Sequence, residues 1–260
     1  MDCTEKTILV CKYYKRLTFV RSIYSKKNNE EGNPFILADL YNHLTASLCG
    51  GYTVSGVNRM HAENIKKIGC VVLASGYGRR YGANKLAVSL EGRSLIQRAL
   101  EAIPAERLAK TVVVTQYEEI ASCAKLFHFT VINNEHPEFG ISQSLRLGLA
   151  ALDDCDGVLF TVADQPLLRR ESITALLDLW SRQPEKIAAM SSGGRRGNPC
   201  LFPARLFPDL MALEGDRGGS AVIRQHPEDL VLLEVDALEL TDVDTPQALA
   251  ALSESAGTNR

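Results

Sequence analysis

Apolar positions in residues 68–253 recur with two periods that alternate along the chain. Short runs rich in β-branched residues predict strands at Cys70–Ala74 (CVVLA), Thr111–Thr115 (TVVVT), Phe129–Asn133, Gly157–Ala163 (GVLFTVA), Ile187–Met190, Cys200–Phe202 and Leu230–Glu234. Between them, apolar residues three and four apart predict helices over Ser94–Ile103, Glu118–Phe127, Ser142–Leu152, Arg170–Arg182, Ala204–Leu213, Gly219–His226 and Pro246–Leu252. Ser94 is a candidate N-cap. GVLFTVA has no polar alternation, as expected of a strand covered on both faces. Alternating strands and helices predict parallel βαβ units with right-handed crossovers. The expected fold is a single Rossmann-like α/β domain, a mostly parallel sheet flanked by helices, with ligands at the carboxyl ends of the strands.

Residues 1–67 lack this regularity. They mix basic clusters (Lys12, Lys15, Arg16, Lys26, Lys27) with a polar KKNNEEGNP run, and only residues 35–48 carry amphipathic helical spacing. The predicted division is a poorly ordered N-terminal extension over 1–67, a domain over 68–253 and a tail over 254–260. Met60 lies where such a domain would naturally begin. A small docking arm is the competing reading, and protection of the bonds near Lys26 and Lys27 in limited proteolysis would exclude disorder.

Composition narrows the partners. With 45% hydrophobic and 23% charged residues, the chain has the make-up of a soluble globular protein. A formal net charge of −2 gives no global surface for nucleic acid, so any anion binding must be local. Seven cysteines, an odd number without a C-x-x-C pair, argue against a disulfide framework and for a reducing compartment. No apolar run approaches the roughly 18–20 residues that span a bilayer, and the N-terminus lacks a signal-peptide layout. A cytoplasmic protein with no membrane partner is expected.

The first predicted strand breaks into Ser75-Gly76-Tyr77-Gly78-Arg79-Arg80-Tyr81-Gly82-Ala83-Asn84-Lys85. Glycines let backbone N–H groups approach an anion, and the cations neutralise it, so this loop is a candidate phosphate cradle. It fits neither the dinucleotide-binding G-x-G-x-x-G turn nor the G-x-x-x-x-G-K-[ST] loop. An ordinary glycine-rich βα turn with solvated arginines is the alternative.

Asp164-Gln165-Pro166 follows the buried strand GVLFTVA. A carboxylate leaving that edge suits Mg²⁺, which takes oxygen ligands from one or two carboxylates plus substrate phosphates. A turn aspartate is the competing role. Asp242-Val243-Asp244-Thr245-Pro246 precedes the last predicted helix. Its alternating aspartates could complete the metal site, Asp244 in preference to Asp242, although a helix cap explains the motif as well. Ser142 and Ser144 open a helix after Gly140, where hydroxyls and free N–H groups can meet an anion or a ribose. Gly194-Arg195-Arg196-Gly197-Asn198-Pro199 reads as a basic loop ahead of a strand, able to take a second substrate's phosphate or to be a mobile surface loop. Gly215-Asp216-Arg217-Gly218-Gly219 is a further tight loop.

The loop pattern L-A-x-G-x-x-x-R-x-G-x-x-K resembles the signature of nucleotidyltransferases that activate phosphorylated small molecules. Taken in order, LASGYGRRYGANK, GISQSLRLGL, VADQP, GRRGNP, GDRGG and DVDTP are similar to the molybdenum cofactor cytidylyltransferase group of the molybdopterin nucleotidyltransferase-like superfamily. The resemblance covers residues 68–253. It implies the nucleotide-diphospho-sugar transferase type of sheet and transfer of CMP from CTP to the phosphate of molybdopterin bearing molybdenum, with Mg²⁺. By position it implies triphosphate contacts from Gly76, Arg80 and Lys85, within a nucleotide site that also takes in Leu73, Ala74, Ser75, Gly78 and Asp164. It assigns metal to Asp164 and Asp244 with Asp242 beside them, nucleotide to Ser144, and the second substrate to Arg195, Arg196 and Asn198. Lys85, Arg80 and Asp164 would carry the catalysis, and a molybdenum hydroxylase could receive the product. Two positions depart from the group's usual pattern: Ser75, within an A-A-G or A-G-G turn, and Asn198, where histidine is usual. The alternatives are guanylyl transfer, sugar-phosphate activation, or a non-catalytic chaperone for maturation of a molybdenum hydroxylase.

Overall fold

The structure is a computed structural model that describes residues 66–77, 84–245 and 247–250. The predicted extension up to residue 65, Gly78, Arg79, Arg80, Gly82, Pro246 and the tail lie outside the described residues.

The chain order is β1 (Ile68–Ala74), β2 (Ser89–Leu90), β3 (Arg93–Ser94), α1 (Leu95–Glu101), β4 (Lys110–Thr115), α2 (Glu118–Leu126), β5 (Thr130–Asn133), α3 (Ile141–Ala150), β6 (Gly157–Val162), α4 (Arg170–Arg182), β7 (Ile187–Ser192), β8 (Arg195–Pro203), α5 (Phe207–Met211), α6 (Gly219–Gln225) and β9 (Leu230–Glu234). Seven strands make one sheet in the order β5-β4-β1-β6-β8-β7-β9, with β2 and β3 as a separate hairpin. From β1 the chain builds outward through β4 and β5, then returns to place β6 on the other side of β1. The reversal of strand order at β1/β6 opens a crevice at their carboxyl ends, where open α/β sheets bind ligands.

Side chains of β1 alternate between two cores. Cys70, Val72 and Ala74 pack under α1, α2 and α4 with Trp180, Leu176 and Ile96. Val71, with Val112 and Val114 of β4, packs under α3, α5 and α6 with Leu145, Leu149 and Val222. Helices on both faces explain why these strands are continuously apolar. The indole Nε1 of Trp180 donates to the Lys186 carbonyl at 2.9 Å, so the buried ring keeps its polar partner. Cys70, Cys123, Cys155 and Cys200 are free thiols. Burial pushes the Cys200 thiol up to about 11. Among the described residues no helix is long and apolar enough to cross a membrane.

Gly148 sets how closely α3 lies on β1. A Cβ there would sit 2.4 Å from Cγ1 of Val71, a stiff β-branched side chain in the core. Gly148→Val is expected to destabilise the domain by about 2–3 kcal/mol, because overpacking outweighs any gain in helix propensity. The shift in urea midpoint relative to the parent chain measures it.

One part of the sheet differs from the strand–helix–strand expectation. β8 runs antiparallel to both of its neighbours, β6 and β7. It begins at Arg195, so the basic segment Arg195–Asn198 is strand rather than the predicted loop. Gly193 and Gly194, with φ of +56° and +74°, make the two-residue turn of a β7–β8 hairpin. Paired positive φ values are what a primed hairpin turn requires, and a Gly-Gly pair supplies them without strain.

Candidate active site

The crevice holds a cavity of about 600 Å³. Its floor is the end of β1 with the residues that follow (Leu73, Ala74, Ser75, Gly76 and Tyr77) and the end of β6 with Ala163 and Asp164. Ser144, Gly140 and Ile141 of α3 and its lead-in line one side, with Lys85, Asp244 and Asp216 completing the wall. The structure thus gathers all seven described nucleotide candidates, Leu73, Ala74, Ser75, Gly76, Lys85, Ser144 and Asp164, around one space.

Local chemistry shapes the loop after β1. Ser75 is buried, and its Oγ donates to the Val114 carbonyl at 3.0 Å, so its backbone rather than its hydroxyl serves the cavity. Gln116 Nε2 donates to the Ser75 carbonyl at 2.7 Å and Tyr117 Oη to the Gly76 carbonyl at 3.0 Å. A Cβ on Gly76 would meet nothing within 4 Å, which keeps this stretch open to a ligand. Asn84 accepts from the Leu86 N–H at 3.2 Å and so caps the 3₁₀ turn that begins at Lys85.

Lys85 Nζ lies 2.7 Å from Asp164 Oδ2 and 2.8 Å from Asp244 Oδ1. The two aspartates are 80 positions apart in sequence and are drawn together by the backbone. The Asp164 carbonyl accepts from the Val243 N–H at 2.9 Å. Val243 itself is fully buried with Leu90 and Leu95 of the β2–β3 hairpin region. Burial opposes the Lys85 charge, but attraction to Asp164 and hydrogen bonds to Asp164 and Asp244 outweigh it, so its pKa lies above the usual lysine value. Two carboxylate oxygens converge on one cation, here an ammonium. That oxygen donor set is of the kind a magnesium ion takes.

Asp242 is turned elsewhere. Its Oδ1 accepts from Gln165 Nε2 at 3.0 Å, and both residues line a second cavity of about 670 Å³. Arg195, Arg196, Gly197 and Asn198 face that cavity too, together with Ser192 and Ser220. The shared spacing of Asp242 and Asp244 therefore does not bring both to one cation; the backbone delivers them to adjoining cavities. Partial burial, then repulsion from Asp164, raises the Asp242 pKa, against the Gln165 hydrogen bond and Lys85. A carboxylate whose folded pKa is raised weakens the fold as pH rises through that value. Asp242→Asn keeps an acceptor for Gln165 and removes the charge. It is expected to raise the melting temperature at pH 7 by about 1 °C, a small effect because the group also reaches solvent, with the difference vanishing below about pH 4.

Three contributors were not singled out from the sequence as site residues. Asn134 is buried and donates to Ser144. Asp216 lines the cavity, brought there by the close approach of the Gly215 loop to Gly140. Asn84 positions Lys85. Asparagine ahead of a helical turn is a readable cap signal; the other two depend on loops that meet only in the fold.

The MobA-like NTP transferase domain family matches residues 70–230. The chain belongs to that family. It is 30% identical over 190 residues to the purine catabolism protein PucB of Bacillus subtilis (strain 168), covering 68% of this chain and 91% of the relative. It is 28% identical over 130 residues to the molybdenum cofactor guanylyltransferase of Shewanella sp. (strain ANA-3), covering 50% of this chain and 64% of that one. Among solved structures, Rv0371c of Mycobacterium tuberculosis H37Rv superimposes with a TM-score of 0.63 at 22% identity, covering 74% of this chain and all of that one. The same mycobacterial protein has also been solved in complex with manganese, matching with a TM-score of 0.62 at 22% identity over 73% of this chain and all of that one. The fold is that of the nucleotidyltransferases.

Proposed function

We propose that this MobA-like nucleotidyltransferase moves a nucleoside monophosphate, CMP from CTP in the first instance, onto the phosphate of a molybdopterin-type acceptor. The observation that carries the reading is the Lys85–Asp164–Asp244 cluster at the β1/β6 switch point, beside a second cavity lined by Arg195 and Arg196. The first cavity takes the nucleotide on the Ala74–Gly76 backbone and Ser144; the second takes the acceptor, with Arg195, Arg196 and Asn198 at its phosphate. Asp164 and Asp244 are the residues that would hold Mg²⁺, which when bound neutralises phosphate oxygens and polarises the α-phosphorus.

The chemistry asks little of acid–base groups. An acceptor phosphate oxygen is already anionic at neutral pH and attacks the α-phosphorus. The new P–O bond forms as the bond to the β-phosphate bridging oxygen breaks, and pyrophosphate leaves with the electron pair. Lys85 would turn its ammonium from its two carboxylates to the leaving oxygens and stabilise the charge that develops there. Catalysis is then positioning and charge neutralisation. The name of the Shewanella relative favours guanylyl transfer as the second reading, with GTP replacing CTP in the same cavity. A non-catalytic chaperone for a molybdenum hydroxylase would have no use for a complete metal site.

Pyrophosphate release with each of CTP, GTP, ATP and UTP, with Mg²⁺ and molybdopterin-bound molybdenum, tests the proposal. Release with CTP above the other three is expected. Release with GTP alone would move the assignment to guanylyl transfer, and nucleotide binding without release would sink the enzymatic reading.

A further inference from the structure

We propose that Asn134 is a positioning residue for nucleotide recognition. It fixes the Ser144 hydroxyl as a hydrogen-bond donor into the first cavity, so that the site reads an acceptor atom of the nucleotide at that point. The inference rests on the nucleotidyltransferase reading of that cavity.

Asn134 follows β5, and its side chain is almost fully enclosed at 1% exposure. Its backbone N–H is held by the Thr115 carbonyl at 2.8 Å, which pins the residue to the end of β4. Its Oδ1 accepts from the His136 N–H at 3.1 Å. That bond decides the orientation of the amide, because only the oxygen can accept. Nδ2 therefore faces Ser144 and donates to its Oγ at 3.0 Å.

The polarity of Ser144 follows. Ser144 sits in the first turn of α3, 4% exposed, on the cavity wall. A serine oxygen that already accepts from a neighbour still has its own proton to give. Among the described residues, Ser144 Oγ donates no hydrogen bond to a protein acceptor. The proton is thus available to the cavity, and its partner there is a ligand acceptor, such as a ribose oxygen or a base carbonyl or ring nitrogen. A donor at the same point could use only the remaining Ser144 lone pair and would leave the hydroxyl proton without a partner, which costs binding free energy.

Asn134→Asp reverses this polarity with little change in shape. The carboxylate accepts from both the His136 N–H and the Ser144 hydroxyl, leaving Ser144 to show only lone pairs to the ligand. The experiment is calorimetric titration with the tightest-binding of CTP, GTP, ATP and UTP, in Mg²⁺, on four proteins: the parent chain, Asn134→Asp, Ser144→Ala and the double variant. The expected result is a Kd raised about tenfold or more by Asn134→Asp, raised severalfold by Ser144→Ala, and less than about twofold different between Ser144→Ala and the double variant. A merely structural role for Asn134 would weaken binding equally with and without the Ser144 hydroxyl. That outcome, or an unchanged Kd in Asn134→Asp, overturns the inference and leaves the nucleotidyltransferase reading standing. Failure of the parent chain to bind any of the four nucleotides overturns both. Should Asn134→Asp not fold, Asn134→Ser replaces it in the same cycle. It is too short to reach both partners, so the hydroxyl is untethered; binding weakens severalfold, and Ser144→Ala again removes the difference.

Discussion

Replacing Lys85 with alanine is expected to lower turnover by about 10²–10³-fold, the loss seen when one donor that stabilises developing charge is removed from an enclosed site. No other described cation lines the first cavity. The side chain is 14% exposed and its ammonium is held by Asp164 and Asp244 at the cavity wall, so it is enclosed and has only to turn from those carboxylates to meet phosphate oxygens in the cavity. Its raised pKa keeps it protonated throughout the neutral range. The sign of the pH effect follows from that direction. A cation favoured in the fold adds stability that is complete below the unfolded lysine value of about 10.4 and is lost as pH climbs through the folded value. The parent chain should therefore show no loss of this contribution at pH 7–9, and the difference in stability between it and Lys85→Ala should narrow only above about pH 10. Pre-steady-state pyrophosphate release measures the first effect and thermal unfolding against pH the second. Turnover within fivefold of the parent chain would remove Lys85 from the mechanism.

Asp164→Ala is expected to be at least as damaging, about 10³-fold in turnover, and to differ from Lys85→Ala in kind. Asp164 is the less exposed of the two carboxylates that meet the ammonium, at 23% against 52% for Asp244. It leaves β6 at the switch point, where a side chain aims directly into the crevice. Its loss should raise the Mg²⁺ concentration needed for half-maximal rate, so that added metal partly restores activity. Asp244→Ala should do the same more weakly. Asp242→Asn should leave the metal requirement unchanged, because that carboxylate faces Gln165 and the second cavity rather than Lys85. A metal titration of the three variants decides the matter. Equal shifts in all three would contradict the division of the aspartates between two cavities.

Much of the domain is legible without coordinates. The continuous apolar runs at Cys70–Ala74 and Gly157–Val162 demand cover on both faces, which forces helices above and below and a largely parallel sheet. Ser94 caps α1 as its position predicts, accepting from the Gln97 N–H at 3.2 Å. The first half of β8 is not legible in the sequence, because Arg195-Arg196-Gly197-Asn198-Pro199 is polar and rich in residues that break regular structure. Pairing of Arg195 and Arg196 with Ser192 and Ser191 of β7, not composition, makes the segment strand. The Gly193-Gly194 turn was the one local sign of it.

The amino-acid order by itself determined the class of fold, the glycine-rich turn after the first strand and the kinds of side chain available to grip an anion or a cation. Those are properties of neighbouring residues, set by period, propensity and side-chain chemistry. Only the folded chain decided which of them share a space. Lys85 meets two aspartates separated by 80 positions because one backbone hydrogen bond and the burial of Val243 bring the irregular Asp242–Asp244 segment to the end of β6. The same contacts send Asp242 to another cavity although it stands two residues from Asp244. Long-range packing chooses such partners, and no local pattern encodes it.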